Sequence, residues 1–306
     1  MVKKILTGLA FFTFSFPVFA QESIDIITFS GRYGVPQSYE NTYAGKATEI
    51  GGMINVKIPL VFNKSTIWYN EILYSPITIL NDETMSGEIA NPIEVHGFIL
   101  QTGLVKKFNN GTAIQILLVP RFMTDFIDVN SKNLQWGSIA LFEKRYSNKL
   151  LMRFGLLYNQ ELFGTILTPL VYLDWQISSR WSIVGLLPIA AKVKYQANKN
   201  LSLGLSHFGL TTTYRLGNIA YRNDYIERNS IDLSFFVRQR IIGHIHFEGR
   251  LGYALGRSYK QYTEDQKLNL RLIILSFGDD RIQKNVSFNN GPIASFRLIY
   301  NIPIPE

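Results

Sequence analysis

The chain contains no cysteine. That excludes a disulfide framework, a thiolate metal site and an N-terminus anchored through a lipidated cysteine. Small exported domains commonly need such staples, so this one must draw its stability from elsewhere. Past residue 20 no stretch approaches ~20 uninterrupted apolar residues, which excludes a membrane-spanning helix. Acidic residues are in deficit, with 23 Asp and Glu against 31 Lys and Arg. The basic residues are nevertheless scattered singly along alternating segments, which argues against a nucleic-acid partner. No Gly-x-Ser-x-Gly elbow occurs, and neither Ser206-His207 nor Asp279-Asp280 has a spacing that demands catalysis. The composition calls for no cofactor, and the expectation is that the protein is not an enzyme.

What is present begins with an export signal. Residues 1–20, MVKKILTGLAFFTFSFPVFA, combine Lys3 and Lys4, an apolar run from Ile5 to Phe19, and small residues Val18 and Ala20 where a signal peptidase reads. Pro17 and the polar QES after Ala20 count against a membrane helix. The segment is read as a secretory signal cleaved after Ala20, with residues 21–306 as a single domain. Loss of Lys3 and Lys4 takes the formal charge from +8 to +6. The excess fits attraction to anionic surfaces or solutes and selects none. Aromatic residues make up 13% of the chain, a share that suits both interfacial girdles and a large β core.

The mature sequence is patterned almost wholly as β. In residues 229–256 Ile231, Leu233, Phe235 and Val237 alternate with Asp232, Ser234, Phe236 and Arg238. After Ile241-Ile242-Gly243 the alternation resumes, with Ile245, Phe247, Leu251, Tyr253 and Leu255 against His244, His246, Glu248 and Arg250. Period two signals strands. It is shared by a soluble sheet with its apolar face in a core and by a membrane barrel with its apolar face in lipid.

Connection lengths separate the two. Asn63-Lys64-Ser65, Phe108-Asn109-Asn110-Gly111, Ser147-Asn148-Lys149, Ser178-Ser179-Arg180 and Asn198-Lys199-Asn200 are tight turns, built from residues that tolerate hairpin conformations. Between them lie longer polar connections at 76–92, 125–133, 160–166, 217–228 and 257–291. Short turns alternating with long loops fit an outer-membrane barrel, whose periplasmic turns are short and extracellular loops long. The expected fold is therefore all-β, a transmembrane antiparallel up-and-down β-barrel of about 14 strands, within a range of about 12–16. Even strand number assigns 268–277 to the last long loop and puts both termini in the periplasm. Residues 187–192 read either as a short outer turn or as mid-strand. A slip of apolar parity near His207-Phe208-Gly209 suggests a bulge.

The signal peptide, the β pattern, the GRYG at 31–34, the LSFGDDR at 275–281 and the NNGPIASFRLIY at 289–300 together resemble an uncharacterised family of Gram-negative outer-membrane β-barrels, classed as a domain of unknown function. The likeness covers essentially the whole mature chain. It implies an outer-membrane barrel and carries no catalytic residues. The last strand continues into Pro303-Ile304-Pro305-Glu306, where many such barrels end on an aromatic residue; Tyr300 stands in that role.

The three-residue loop 241–243 predicts that Arg240 pairs with His244, Arg238 with His246, Phe236 with Glu248 and Ser234 with Arg250. Candidate lumen-lining residues are then Asp232, Arg238, Arg240, His244, His246, Glu248, Arg250, Lys192, Lys194 and Arg297. Such a strip either sets a pore's electrostatics or fills a narrow barrel with salt bridges. His244 and His246 lack a third ligand and lie beside arginines, so no metal is expected. His96 and His207 read as structural. Asp224, Glu227, Glu264 and Asp265 fall in predicted outer loops, where solvated charge is the default and bridging cations an alternative.

The leading functional expectation is a passive channel or transport-type barrel for small solutes with a mildly basic lumen. Alternatives are a closed structural or adhesive barrel with partner-binding loops, a hydrophobic-ligand importer and a soluble periplasmic sandwich. Expected partners are outer-membrane lipid and lipopolysaccharide, the barrel-assembly machinery and small solutes. A closed barrel keeps its ladder intact in dodecyl sulfate until boiled. Unheated protein should therefore migrate faster than boiled protein on a gel, whereas identical mobility would favour the sandwich.

Overall fold

The structure is a computed structural model that describes residues 23–40, 44–82, 93–218, 221, 223–273 and 275–303. The segment read as a signal peptide lies outside the described residues.

Fourteen antiparallel strands close into one barrel. In chain order they are β1 (Ser23–Ser38), β2 (Lys46–Lys57, continuing as Leu60–Asn63), β3 (Thr66–Asn81), β4 (Ile93–Lys107) and β5 (Thr112–Leu118 and Arg121–Thr124). Next come β6 (Leu134–Gln135 and Gly137–Ser147), β7 (Leu150–Glu161), β8 (Gly164–Gln176), β9 (Trp181–Leu187) and β10 (Ala190–Gln196). The circuit ends with β11 (Leu201–Arg215), β12 (Tyr225–Ile242), β13 (Ile245–Tyr262) and β14 (Gly291–Pro303). Closure is made by β14, which pairs with β13 on one edge and with β1 on the other, from Ile24↔Ile302 to Gly34↔Ile293. The breaks in β2 and β5 fall at Pro59 and Pro120, because proline has no N–H to give the ladder.

Polarity is inverted relative to a soluble sheet. Leu233, Phe235, Val237, Phe247, Leu251, Phe296 and Leu298 are exposed, Leu251 at 70%, while Asp232 and Glu248 on the opposite faces are buried, Glu248 at 0%. Exposed Phe62, Trp68, Phe108, Tyr146, Trp175 and Trp181 ring the end that carries the short turns. Trp136 and Tyr146 sit on the outer face near opposite ends of β6. Ten residues at ~3.3 Å rise and ~40° tilt span roughly 25 Å, the height of a lipid-facing band. The barrel is therefore a transmembrane one.

Several expectations change in detail. The turn between β12 and β13 is Gly243-His244, with Gly243 at φ 52°, Ile242↔Ile245 paired and an irregularity between Arg240 and Ile242. Arg240 therefore pairs with His246, Arg238 with Glu248, Phe236 with Arg250 and Ser234 with Gly252. The register moves by two residues, so every side chain keeps its face. The long connections are shorter than the sequence suggests: β3 runs on to Asn81, β7 and β8 are joined by Leu162-Phe163 alone, and β12 and β13 reach Tyr225 and Tyr262. Residues 187–192 hold an outer turn at Pro188-Ile189.

No bulge interrupts β11, which pairs continuously with β12 from Leu201 to Arg215. The parity slip has another cause. Strands β9 and β10 are short and turn low in the wall, so above Gly209 the free edge of β11 meets the tops of β5, β6 and β7 directly. Arg215 bridges Thr124, Gln135 Nε2 donates to Thr213 O at 3.0 Å, Leu162 N donates to Thr213 Oγ1 at 2.9 Å, and Thr213 N donates to Glu161 Oε2 at 2.9 Å. Positions that would otherwise face lipid are covered by this seam, and polar residues occupy them.

Glu161 ties the seam together, since it also accepts from Arg121 Nη1 at 2.7 Å, with side-chain exposures of 4% for Arg121 and 0% for Glu161. Glu161→Ala would leave the guanidinium buried without its counter-charge. The expected loss is about 3–5 kcal/mol of unfolding free energy, measured by urea titration in detergent; a loss under about 1 kcal/mol, the range of a surface pair, would show that the seam does not support the barrel.

Candidate functional site

The interior divides into layers along the barrel axis. In the half that carries the short turns Glu248 is the centre of one cluster. It accepts from Lys192 Nζ at 2.7 and 3.0 Å, from Arg250 Nε at 2.7 Å and from Arg297 Nη1 at 3.3 Å. Lys192 arrives from β10, across β11 and β12, and its ammonium stands 4.9 Å from the Phe236 ring centroid. Nearer the strand ends Arg238 grips Asp25 through both nitrogens at 2.8 and 3.2 Å, and Asn301 Nδ2 donates to the same carboxylate at 2.8 Å. Across the lumen Arg153 donates to Glu143 at 2.6 Å and lies 4.5 Å from the Tyr172 ring, while Glu71 accepts from Asn55 at 2.6 Å and from Tyr69 at 2.5 Å.

The layer above is centred on Glu49. Arg32 donates to it at 2.8 and 3.2 Å, Tyr259 OH at 2.8 Å and Arg257 at 3.4 Å, and Arg228 stands 3.6 Å away. Arg32 also pairs with Asp232, which accepts from Ser230 at 2.7 Å. Around this layer the outer half is filled by apolar side chains, one cluster including Ile77, Ile79, Val95, Met123, Tyr214 and Ile226, another Leu117, Ile139, Leu141 and Leu170.

Over the mouth at the end opposite the short turns lies a lid, formed by residues 263–273 and 275–290. Within it Leu270–Leu272 and Leu275–Phe277 form a small hairpin whose first strand pairs in parallel with Thr165–Leu167 of β8. This is the segment 268–277 that strand parity assigns to the last loop. Phe163, at the tip of the β7–β8 turn and 0% exposed, is its anchor. Leu268 N donates to Phe163 O at 2.9 Å, and the Arg271 and Arg281 guanidiniums lie 4.5 and 5.1 Å from its ring centroid. Both arginines converge on Glu227 of β12, at 2.8 and 2.7 Å.

Two acidic residues expected to be solvated are thus interior ones. Glu227 is 2% exposed, and Asp224, at 4%, accepts from Gln261 and Lys284, each at 2.6 Å. Asp279 and Arg281 close the lid's own turn with bonds of 2.7 and 2.9 Å, and that arginine holds the Asp279 carboxyl below the usual carboxylate range.

Of the residues singled out from sequence, Lys192, Glu248, Arg250 and Arg297 come together around one carboxylate. Arg238 joins Asp25, and Asp232 joins the Glu49 layer. Arg240 and His244 sit exposed at the turn, Arg240 Nε donating to Gly243 O at 2.7 Å and His244 lying edge-on to Tyr300 at 5.8 Å. His246 is half-buried opposite Arg240, and Lys194 faces Ser182 across the β9–β10 pair. His96 Nδ1 bonds Tyr74 OH at 2.9 Å and His207 Nε2 bonds Pro188 O at 2.7 Å, local partners that account for both rings. Ser206 and His207, neighbours on one strand, point to opposite faces. Among the described residues no group of three or more His, Cys, Asp or Glu side chains is arranged to hold a metal ion. Glu49, Arg32, Glu161 and Phe163 escape a reading of the sequence. Arg32 and Glu49 occupy polar-parity positions of alternating strands, but nothing in their neighbourhood marks them as layer centres.

No curated protein matches the chain. Among solved structures it is similar to the COG4313 outer membrane channel from Pseudomonas putida F1, at 9% identity and TM-score 0.45 over 91% of this chain and 96% of that one. It is also similar to a mutant of the TodX monoaromatic hydrocarbon channel, at 8% identity and TM-score 0.41 over 92% and 90% of the two chains, and to the NanC porin, at 10% identity and TM-score 0.34 over 90% and 98%. Residues 17–271 match the model of one protein family, and the chain belongs to that family, the Domain of unknown function (DUF6268).

Proposed function

We propose that the protein is a channel-type barrel of the Gram-negative outer membrane that passes small solutes and is shut at its outer mouth in this conformation. It reaches that membrane by export with cleavage after Ala20 and insertion by the barrel-assembly machinery, and sits among outer-membrane lipid and lipopolysaccharide. The observation that carries the reading is the contrast between the two halves of the interior. The periplasmic half is lined by charged side chains that stay partly exposed, Lys192 at 27% and Arg250 and Arg297 at 17%. The outer half is sealed by apolar packing and by the lid. A lumen whose cations stay partly exposed at one end, and whose side chains are packed and mutually paired at the other, fits a conduit with its gate at the packed end.

The gate in this reading is the lid, held by Phe163 between two arginines that share Glu227. Those contacts hold one closed arrangement, and a conduit opens when the lid leaves the mouth. A second reading, the closed structural barrel, draws on the packed outer half, which fills the lumen as a core would. Cutting the latch separates the two: a gated conduit opens, and a structural barrel stays shut.

Cation–π contacts in a desolvated setting are worth about 2 kcal/mol, and every ~1.4 kcal/mol shifts a two-state equilibrium tenfold. In planar bilayers the double variant Phe163→Ala, Glu227→Gln should show open time at least about tenfold above wild type. Barrels that insert yet stay silent in both forms would leave the structural reading standing. Acid should act in the same direction. The Asp279 carboxyl titrates below its unfolded value near ~3.9, so its contribution to the lid is complete above that pH and is lost as pH falls through the lower folded value. Open time should accordingly rise only once the outer compartment is taken below about pH 4.

A further inference from the structure

The Glu248 layer has a charge imbalance that its own packing does not remove. Lys192, Arg250 and Arg297 all address one carboxylate, which is fully buried, while their own side chains keep 17–27% of their surface exposed. The Asp25 carboxylate also attracts Lys192 and Arg297, but with its own partner Arg238 it forms a pair of zero net charge, so the surplus of the whole group is unchanged. Arginine cannot lose its proton in a protein, so the two guanidiniums against Glu248 alone leave one positive charge, and the ammonium of Lys192 adds a second. A surplus of this kind on partly exposed side chains is expected to hold an anion, because guanidinium N–H groups left over from Glu248 find oxygen acceptors in it.

We infer that the layer of Lys192, Arg250 and Arg297 is a binding site for a small dianion, an oxyanion or dicarboxylate, entering from the periplasmic end, with Glu248 acting as a resident competitor. The inference rests on the reading of this half as a solute-facing lumen, but not on the outer gate, since the site is approached from the other side. The doubled charge of the ligand comes from the surplus. A monoanion such as chloride leaves one cation unanswered, whereas two negative charges on one small body balance the layer. Glu248 orients the three cations by bonding them, and in doing so occupies the position an incoming carboxylate or oxyanion would take. Removing its charge while keeping its shape should therefore strengthen binding, the reverse of what a purely structural salt bridge predicts.

The test uses the full-length protein in detergent, with sodium sulfate as probe, titrated calorimetrically at pH 6.5 against chloride of equal ionic strength. Sulfate should bind with a Kd on the order of 1 mM and chloride should give no saturable heat. Arg297→Gln should weaken sulfate at least about tenfold, the scale of one lost charge-assisted contact. Glu248→Gln should tighten it several-fold. Retained heat-modifiable gel mobility shows that each variant is folded; should Glu248→Gln fail that check, Arg297→Gln decides alone. No saturable sulfate heat in the wild type, or unchanged affinity in Arg297→Gln, overturns the inference. Sulfate binding with no bilayer current in either the wild type or the Phe163→Ala, Glu227→Gln variant would leave the site standing and remove the conduit, and current without sulfate binding would do the opposite.

Discussion

Inside hydrocarbon a backbone amide has no water to bond to, and each unsatisfied one costs several kcal/mol. Closure is the consequence of that constraint. Because β14 joins β13 to β1, the membrane-facing wall has no open edge where the circuit meets itself. Once the wall is closed, alternation sends one face of every strand to lipid and the other to an enclosed space, and the charged residues of this chain have only that space to occupy. Low polarizability there makes an unpaired charge expensive, which accounts for the number of partners each interior carboxylate collects. Glu248, Glu49 and Glu227 are each met by two or more cations, and Glu161 by Arg121 together with two donors from Thr213.

The second organising feature is a difference in strand length. Strands β9 and β10 stop far below their neighbours, and a wall with a low section would expose the free edge of β11. Instead β5, β6 and β7 lean over and close on that edge through Thr124, Gln135 and Glu161. The outer half thereby closes without β9 and β10 and is narrow enough for side chains to fill it, as small barrels are filled. The same lean carries Phe163 across to the tops of β12 and β13, where the lid finds its anchor. Constriction, seam and lid are consequences of one short hairpin, and together they give the interior its two unlike halves.

Much of this was legible in the residues. Alternation gave the correct face to the side chains from Leu233 to Arg238 in β12, from Ile245 to Leu255 in β13 and from Ala294 to Tyr300 in β14, and the spacing of Asn- and Ser-rich turns gave the strand number and direction. Strand parity placed 268–277 in the last loop. The hairpin register came out two residues off, because Gly243 sits in a two-residue turn with an irregularity behind it and not at the end of a three-residue loop; the even displacement left the faces intact. The slip at His207 was visible but its cause was not, since the covering hairpin tip lies 44 positions earlier in the chain. Asp224 and Glu227 looked like loop charges because their partners Lys284, Arg271 and Arg281 come from the last long loop, whose packing onto β12 no local pattern shows.

What the sequence determined by itself, then, was everything carried by period and by turn chemistry: strand direction, face, count, and the inversion of polarity that alternating residues and uneven connections imply together. These are local properties, fixed within a few residues of one another. Which carboxylate gathers which cations, where the wall narrows, and how the lid is latched were decided only in the folded barrel. Such contacts join residues up to 276 positions apart, as Asn301 and Asp25 are, and their partners are chosen by the curvature and relative height of the strands, quantities that no local pattern encodes.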